Sequence, residues 1–220
     1  MQKPTGNDHY LDTETGVLKN KPGIKNRTIL QQLEADYAAA RAYELAQTPI
    51  HGQFDFAHLK SVHKHLFGDV YDWAGELRDI DLAQGDNYFA NHTHIVSAAR
   101  SIFEKLAKEN ALTGLTMSAF ADRAACYLGE INAQHPFRTG NGRAQREFIN
   151  HLAYNNGLSI AWNNASQEEM AEASTESLHS GNTTWFAGFI RDNLYPRVTV
   201  AQPSVTAPPK TRKAAPSKSK

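Results

Sequence analysis

The residues best suited to chemistry lie together between His135 and Arg146, in the sequence His-Pro-Phe-Arg-Thr-Gly-Asn-Gly-Arg-Ala-Gln-Arg. His135 can be a neutral base near physiological pH. Pro136 disfavours helical dihedrals at the residue before it, so a helix upstream should end at His135. Phe137 is a natural apolar anchor for the loop that follows. The stretch therefore predicts a base on an anchored loop at the end of a helix.

The second half of this stretch is suited to binding an anion. Gly140 and Gly142 allow positive φ and a close approach of a ligand to the main-chain amides. A helix predicted to begin at about Gly142 would direct its free N–H groups and positive dipole end toward the loop. Arg143 and Arg146 share one face of its first turn and can clamp a phosphate. A base beside a polyphosphate cradle indicates transfer of a phosphorus group to a hydroxyl, although each feature singly also occurs in ordinary turns and solvated helices.

The elements that position the stretch are predicted to be helices, because apolar residues recur at three- and four-residue steps. Helices are expected from Asn26 or Thr28, after the N-cap Asp55, and at about 92–109, 117–133, 142–155, 167–179 and 184–193. The first helix is expected to bury the stripe Ile29, Leu33, Tyr37, Ala40 and Tyr43. Strand signal is confined to residues 77–89, which predict a short β-hairpin with a polar tip. The expected fold class is therefore all-α.

Composition divides the chain into three segments, and the net charge and apolar content argue against nucleic-acid and membrane partners. Residues 1–24 predict an extended lead-in, 25–196 one domain, and 197–220 a disordered basic tail rich in Pro, Ala, Ser and Lys. The tail is a solvated end, a nucleic-acid or secretion tether, or a linker. The formal net charge of +0 gives no reason to expect direct nucleic-acid binding. A lone cysteine, Cys126, and the lack of any long apolar run predict a cytoplasmic protein with no membrane partner.

The stretch resembles the Fic family signature, His-Pro-Phe-x-(Asp/Glu)-Gly-Asn-Gly-Arg-x-x-Arg. Thr139 stands where the family carries its carboxylate, and every other fixed position matches. The segment Leu66–Gly75, followed by Arg78, is similar to the family's lead into its flap, and residues 8–20 resemble the VbhT branch of Fic toxins. The resemblance implies a Fic fold, a helical bundle with the hairpin flap beside the active-site loop. In that flap the target-binding residues would be Ile80, Asp81, Leu82, Gln84, Gly85 and Asp86.

The activity implied by this resemblance is transfer of AMP from the substrate ATP to a hydroxyl of a target protein. His135 would be the general base. The loop around Gly140, Asn141 and Gly142 would cradle the α- and β-phosphates, and the two arginines would hold the β/γ end. Relatives of the VbhT branch modify bacterial type II topoisomerases, so DNA gyrase and topoisomerase IV are the expected targets.

Thr139 puts full activity in question. The family carboxylate at this position holds Mg²⁺, and a neutral threonine hydroxyl is a weaker ligand. Three interpretations stay open: reduced transfer with weakened Mg²⁺ binding, use of another nucleotide donor, and a module that binds nucleotide, target or antitoxin without transfer.

Regulation is implied by a motif that the sequence lacks. Many Fic proteins carry an inhibitory Ser/Thr-x-x-x-Glu-Gly/Asn helix, and no such pattern occurs in this chain. The resemblance therefore implies a separate small antitoxin whose glutamate would point at Arg146. Delivery of the chain into another cell also stays open.

Overall fold

The computed structural model describes residues 2–4, 8–85 and 87–197, of which Gln2–Pro4 and Asn87 are described by their backbone alone. The described residues form seven α-helices: α1 (Arg27–Gln47), α2 (Phe56–Phe67), α3 (Ile95–Lys108), α4 (Met117–Gln134), α5 (Asn141–Asn155), α6 (Gln167–Ser180) and α7 (Thr184–Asn193). Short 3₁₀ turns lie at His92–His94, Asn110–Leu112 and Trp162–Asn164. The all-α fold class predicted from the sequence is confirmed.

The helices begin where polar side chains can satisfy their first N–H groups. Asn26 accepts from the amide of Ile29, Asp55 from that of His58, and Thr116 from that of Ala119. Ser166 and Glu169 form a capping box at the start of α6. Asn26 and Asp55 are N-caps expected from the sequence, and α4 and α6 begin at the predicted residues 117 and 167.

The core lies around α4, which packs against α3, α5, α6 and α7. Each of α2 to α5 buries apolar side chains in this core, and the largest fully buried ones include Phe67, Phe120, Tyr127 and Phe148. Packing on several faces explains why α4 is buried nearly all round. Its C-terminus, and the loop that leads from it to α5, are therefore held by the centre of the domain.

The stripe predicted for α1 is wrong by about one position. Ile29 and Tyr43 are exposed, with 57% and 69% of their surface accessible. The buried residues are instead Leu30, Glu34, Ala38 and Leu45. The buried face thus carries three apolar residues together with Glu34, which pairs with Arg143 and Tyr71 in the interior.

Strands are more numerous than the sequence indicated. Strand β1 (Gln2–Pro4) pairs antiparallel with β2 (Leu82–Gln84), and β2 pairs with β3 (Asn87–Tyr88), giving a sheet of order β1-β2-β3. The predicted hairpin is β2-β3. A second antiparallel pair joins β4 (Leu158–Ile160) to β5 (Leu194–Pro196). The expectation that strand signal is confined to residues 77–89 is therefore wrong, since three-residue strands show too little alternation to be recognised.

The expected lead-in and tail are partly described. Within 1–24, Tyr10 and Val17 are buried, and the amide of Lys21 donates to the carbonyl of Val70. Arg197 packs its guanidinium over the ring of Tyr154, 4.1 Å from the centroid. The remainder of the tail, 198–220, lies outside the described residues. None of the described helices combines the length and apolar character needed to cross a membrane.

Candidate active site

His135 lies at the C-terminal cap of α4 with a left-handed backbone, φ 47° and ψ 60°. The helix ends before Pro136 as expected, although the backbone of His135 is left-handed rather than extended, and its amide still donates to the carbonyl of Ile131. Its ring stacks on Phe89 with the centroids 3.8 Å apart. Burial, together with the charge of Arg78, lowers the pKa of His135 to about 3. The imidazole is therefore neutral at physiological pH, as a general base must be.

Phe137 and His63 anchor the loop that follows. Phe137 is fully buried and stacks on His63 at a centroid distance of 3.8 Å. His63 Nδ1 accepts from the amide of Gly75 at 2.9 Å, so Nε2 carries the proton and donates to the carbonyl of Thr139, also at 2.9 Å. Burial lowers the pKa of His63 to about 4, which keeps this tautomer neutral. No local sequence pattern indicates this role for His63, because Phe137 and Thr139 lie more than 70 residues away in the chain.

Gly140 and Asn141 shape the turn into α5. Gly140 has φ 76°, and a Cβ at this position would lie 2.5 Å from the ring of Phe67, so only glycine fits. The Asn141 side chain bonds both the amide and the carbonyl of Phe137, at 2.9 and 2.7 Å. Its amide group thus closes the loop, which leaves the backbone N–H groups of the first turn of α5 for an anion. Gly142 does not share the positive φ expected from the sequence, and α5 begins at Asn141 rather than Gly142.

Arg143 is already paired with a carboxylate. Its guanidinium forms an ion pair with Glu34 of α1 and lies over the ring of Phe67, 4.7 Å from the centroid. The hydroxyl of Tyr71 donates to the other oxygen of Glu34. Burial and the negative Glu34 raise the pKa of Tyr71 far above its usual value, so that hydroxyl keeps its proton. Arg143 therefore fixes α1 to α5, a role that the sequence did not indicate.

Arg146 differs from Arg143 in its surroundings. No carboxylate within the part of the chain that the structure describes forms an ion pair with it. Burial and the neighbouring charge of Arg143 lower the pKa of Arg146 to about 10, which still leaves it charged at neutral pH. Its Nη1 lies 3.3 Å from the position of a Cβ on Gly142, so the cation sits beside the first turn of α5. A desolvated cation next to a helix N-terminus favours an anionic ligand.

Arg138 holds the loop to the N-terminal segment of the chain. Nη2 of Arg138 lies 2.6 Å from Oδ2 of Asp8, and both side chains are buried. Such a pair is costly to break, because one charge would stay buried without its partner. No sequence pattern linked these residues, which are 130 positions apart.

Arg78 connects the flap to the end of α4. Its guanidinium donates to the carbonyl of Ile80 at 2.6 Å and to that of Ala90 at the two ends of the flap. The same side chain donates to the carbonyls of Gln134 and His135 at 3.1 and 2.7 Å. The guanidinium is buried, and four carbonyl oxygens replace its water. The flap and the backbone of His135 therefore share one buried cation.

The predicted flap residues fall into two groups: Asp81 anchors the root of the flap, and Leu82 to Gln84 form its strand β2. Asp81 accepts from the amide and Nδ1 of His92 at 2.7 and 2.9 Å, so its carboxylate anchors the flap base. The His92 amide is the main reason why the pKa of Asp81 is lowered. Leu82 is buried, Gln84 is half-buried, and Gly85 turns the tip with φ 62°. The remaining predicted flap residue, Asp86, lies outside the described residues.

The position of the expected metal ligand offers little to Mg²⁺. Thr139 is held through its main-chain carbonyl, and its side chain is a neutral hydroxyl. The described residues contain no cluster of three or more His, Cys, Asp or Glu able to hold a metal ion. These donors do not fit a Mg²⁺ site anchored by a protein carboxylate.

Solved structures share this fold. BepC, a VirB-translocated effector from Bartonella tribocorum determined with bound AMPPNP, superposes with a TM-score of 0.79 at 28% identity over 86% of this chain and 97% of BepC. The N-terminal Fic domain of a VirB-translocated Bep effector from Bartonella quintana, determined with bound ADP, gives 0.79 at 30% identity over 86% and 95% of the two chains. The described architecture is therefore the Fic fold.

Sequence comparison gives the same result. The profile of the Fic/DOC family matches residues 53–153. The protein adenylyltransferase VbhT of Bartonella schoenbuchensis is 47% identical over 88% of this chain, which spans 41% of VbhT. The Escherichia coli protein named "Probable protein adenylyltransferase Fic" is 34% identical over 76% of this chain and 83% of its own length. The chain belongs to the Fic/DOC family.

Proposed function

We propose that this chain is a protein adenylyltransferase that moves AMP from ATP to a hydroxyl side chain of a target protein. The observation that carries the proposal is the pairing of two groups at one loop. Neutral His135 lies at the end of α4, and the half-buried cation of Arg146 lies beside the start of α5. The names of the relatives support the reaction, because VbhT is a protein adenylyltransferase. Solved Fic domains with AMPPNP and ADP support a nucleotide as the donor.

In the proposed reaction the target hydroxyl attacks the α-phosphorus of ATP. A new oxygen–phosphorus bond forms, the bond between the α-phosphorus and the bridging oxygen breaks, and pyrophosphate leaves. The hydroxyl proton passes to the His135 imidazole, whose neutral form is ready to accept it. The negative phosphates would raise the low pKa of the buried imidazole and so strengthen it as a base.

Phosphate binding is assigned to Arg146 and the main-chain amides at the start of α5. Arg146 would neutralise the β/γ end and the leaving pyrophosphate, while Gly140, Asn141 and Gly142 provide the turn that exposes the amides. Arg143 contributes its charge from the ion pair with Glu34. No step is assigned to Mg²⁺, because Thr139 replaces the carboxylate that the family uses to hold it. Weakened Mg²⁺ binding and reduced transfer follow from the same substitution.

Targets, regulation and location are part of the same proposal. The chain would be a toxin held inactive by a separate antitoxin whose glutamate pairs with Arg146, because the given sequence contains no inhibitory motif of its own. DNA gyrase and topoisomerase IV are the first targets to test, in the bacterial cytoplasm or in a cell that receives the protein. The second candidate function is a module that binds nucleotide, target or antitoxin without transferring AMP, or that uses another donor. Thr139 is the observation that favours it.

The test uses α-³²P-ATP with purified DNA gyrase and topoisomerase IV, in Mg²⁺, in Mn²⁺ and in chelator. Wild-type chain, His135→Ala and Thr139→Glu are compared. Label on the target that is lost in His135→Ala supports the transferase, and more label with Thr139→Glu identifies residue 139 as the limiting metal ligand. A bacterial lysate provides a wider set of targets. No label from any variant on any of them would reject transfer and leave the binding module.

Antitoxin pairing is tested separately by titrating the cognate antitoxin against wild-type chain and Arg146→Ala. The glutamate of the inhibitory helix should lose its partner, so affinity should fall about tenfold or more, equivalent to ~1.4 kcal/mol. Arg191→Ala is the matched control, because Arg191 pairs with Asp122 on the surface, away from the site. Unchanged affinity in Arg146→Ala would contradict the pairing.

A further inference from the structure

The edge of the flap is occupied by the chain itself. Strand β1 pairs with β2 in the register Gln2 to Gln84, Lys3 to Ala83 and Pro4 to Leu82. Because β3 lies on the other side of β2, neither side of β2 is open for a further strand. An exposed strand edge is the usual place where an extended peptide adds to a sheet.

The hydrogen-bond pattern identifies which residues hold β1 in place. The amide of Phe89 donates to the carbonyl of Leu82, so Leu82 directs its polar backbone groups toward the β3 side. Backbone groups alternate along a strand, so those of Ala83 point toward Lys3. Pro4 stands opposite Leu82, where the missing N–H faces away from β2 and costs no ladder bond. The proline is therefore compatible with this register. The backbone hydrogen bonds between β1 and β2 are those of the Lys3–Ala83 pair.

The far end of the N-terminal segment is fixed at the active-site loop. Pro4 is paired with Leu82, and Asp8 forms its buried ion pair with Arg138. Four residues of extended chain span at most about 14 Å, so the backbone of Pro4 lies within that distance of the backbone of Asp8. Phe89, the partner of Leu82, stacks on His135. Phe89 lies across Leu82 from β1, so β1 occupies the outer edge of the flap, and the Asp8–Arg138 pair ties the N-terminal segment to the loop that follows the proposed base.

We propose that β1 is an intramolecular competitor that occupies the flap edge where an extended segment of a target protein would add, with Asp8–Arg138 as its anchor. Target binding then requires β1 to leave β2, which lowers the apparent affinity for targets by the fraction of chains in which the edge is open. The competition between target and β1 rests on the proposed function. The strand pairing itself does not.

The test compares Lys3→Pro with Gln2→Pro as its matched control. Lys3→Pro removes the N–H that bonds Ala83, whereas the N–H of Gln2 faces away from β2 and its loss should be neutral. We expect hydrogen exchange of the Ala83 amide to accelerate at least tenfold in Lys3→Pro and to stay unchanged in Gln2→Pro. A fluorescent peptide of residues 1–8 should bind Lys3→Pro and neither the wild-type chain nor Gln2→Pro. Equal exchange at Ala83 in all three proteins, or equal peptide binding, would overturn the proposal.

The transfer assay then tests the competition. With a target that accepts label, Lys3→Pro should lower KM for that target several-fold and leave kcat unchanged, whereas Gln2→Pro should match wild type. Measurable transfer with the same KM in all three proteins would refute competition at the flap. If no protein transfers label, the proposed function fails, while Ala83 exchange and peptide binding still decide whether β1 occupies the edge.

Discussion

At the scale of single residues, the site separates two arginines that look equivalent in the sequence. Arg143 is neutralised by Glu34, and Arg146 has no carboxylate in ion-pair contact among the described residues. A paired cation contributes to folding, whereas a desolvated cation without a counter-charge costs stability and gains it back when an anion binds. The difference gives Arg143 a structural role besides its contribution to the charge at the phosphate site, and it makes Arg146 the main ligand-binding arginine.

The two arginines therefore predict opposite phenotypes. Arg146→Ala should weaken ATP binding at least tenfold, about 1.4 kcal/mol, and leave the free energy of unfolding unchanged or raise it. Arg143→Ala should lower the free energy of unfolding by about 1–3 kcal/mol, because Glu34 would stay buried without its cation. Isothermal titration with ATP and urea denaturation of both variants check this. Equal losses of stability in the two variants would contradict the division of roles.

At the scale of elements, the turn between α4 and α5 depends on Gly140 for two reasons. Positive φ disfavours any L side chain, and Phe67 occupies the place of a Cβ. Gly181, at the end of α6, has a similar φ of 72° but nothing within 4 Å of a Cβ. The pair of glycines therefore separates backbone strain from steric overlap.

We expect Gly181→Ala to cost about 1–2 kcal/mol from the left-handed backbone alone. Gly140→Ala should cost about 1–3 kcal/mol more, because Phe67 has to move. Urea denaturation of the two variants measures the difference. Phe67→Leu in the Gly140→Ala background should restore part of the lost free energy of unfolding. If it restores none, overlap with Phe67 is not the source of the extra cost.

What the sequence could predict at this scale was set by local rules. The N-caps Asn26 and Asp55 and the starts of α4 and α6 depend on residues close together in the chain, so these four helix starts were predicted from the sequence. Four partnerships could not be read this way, because they join distant segments: Glu34 with Arg143, Asp8 with Arg138, His63 with Thr139, and Arg78 with His135. The first of these also rotates α1, which is why its apolar stripe was predicted on the wrong face.

At the scale of the whole molecule, three buried histidines make stability depend on pH. Burial lowers the pKa of His58 and His63 to about 4 and that of His135 to about 3. In the unfolded chain each imidazole has its ordinary pKa of about 6.5. Above that pH both states are neutral and the histidines have no effect. Below it only the unfolded chain takes up protons, so stability falls as pH drops from about 6.5 toward 4.

The free energy of unfolding should therefore decrease between pH 7 and pH 5, with a slope of up to about 1.4 kcal/mol per pH unit for each buried histidine. Urea denaturation at pH 7, 6 and 5 measures this slope. His63→Gln should reduce the slope by up to about 1.4 kcal/mol per pH unit, the contribution of one histidine. His51→Gln, at an exposed position, should leave the slope unchanged. A flat profile for the wild-type chain would mean that these imidazoles protonate without unfolding.

For the proposed transfer reaction, the Arg78 guanidinium affects which hydroxyl side chains of a target can reach the base. The guanidinium is planar and donates to carbonyls at both ends of the flap and to those of Gln134 and His135. We therefore expect the flap and the end of α4, which carries the imidazole, to move together. A backbone gripped by the flap would then be presented at one fixed height above the base. Serine, threonine and tyrosine carry their hydroxyls at different distances from the backbone, so only one length should reach. The chain would thus distinguish short from long hydroxyl side chains before it reads any target sequence.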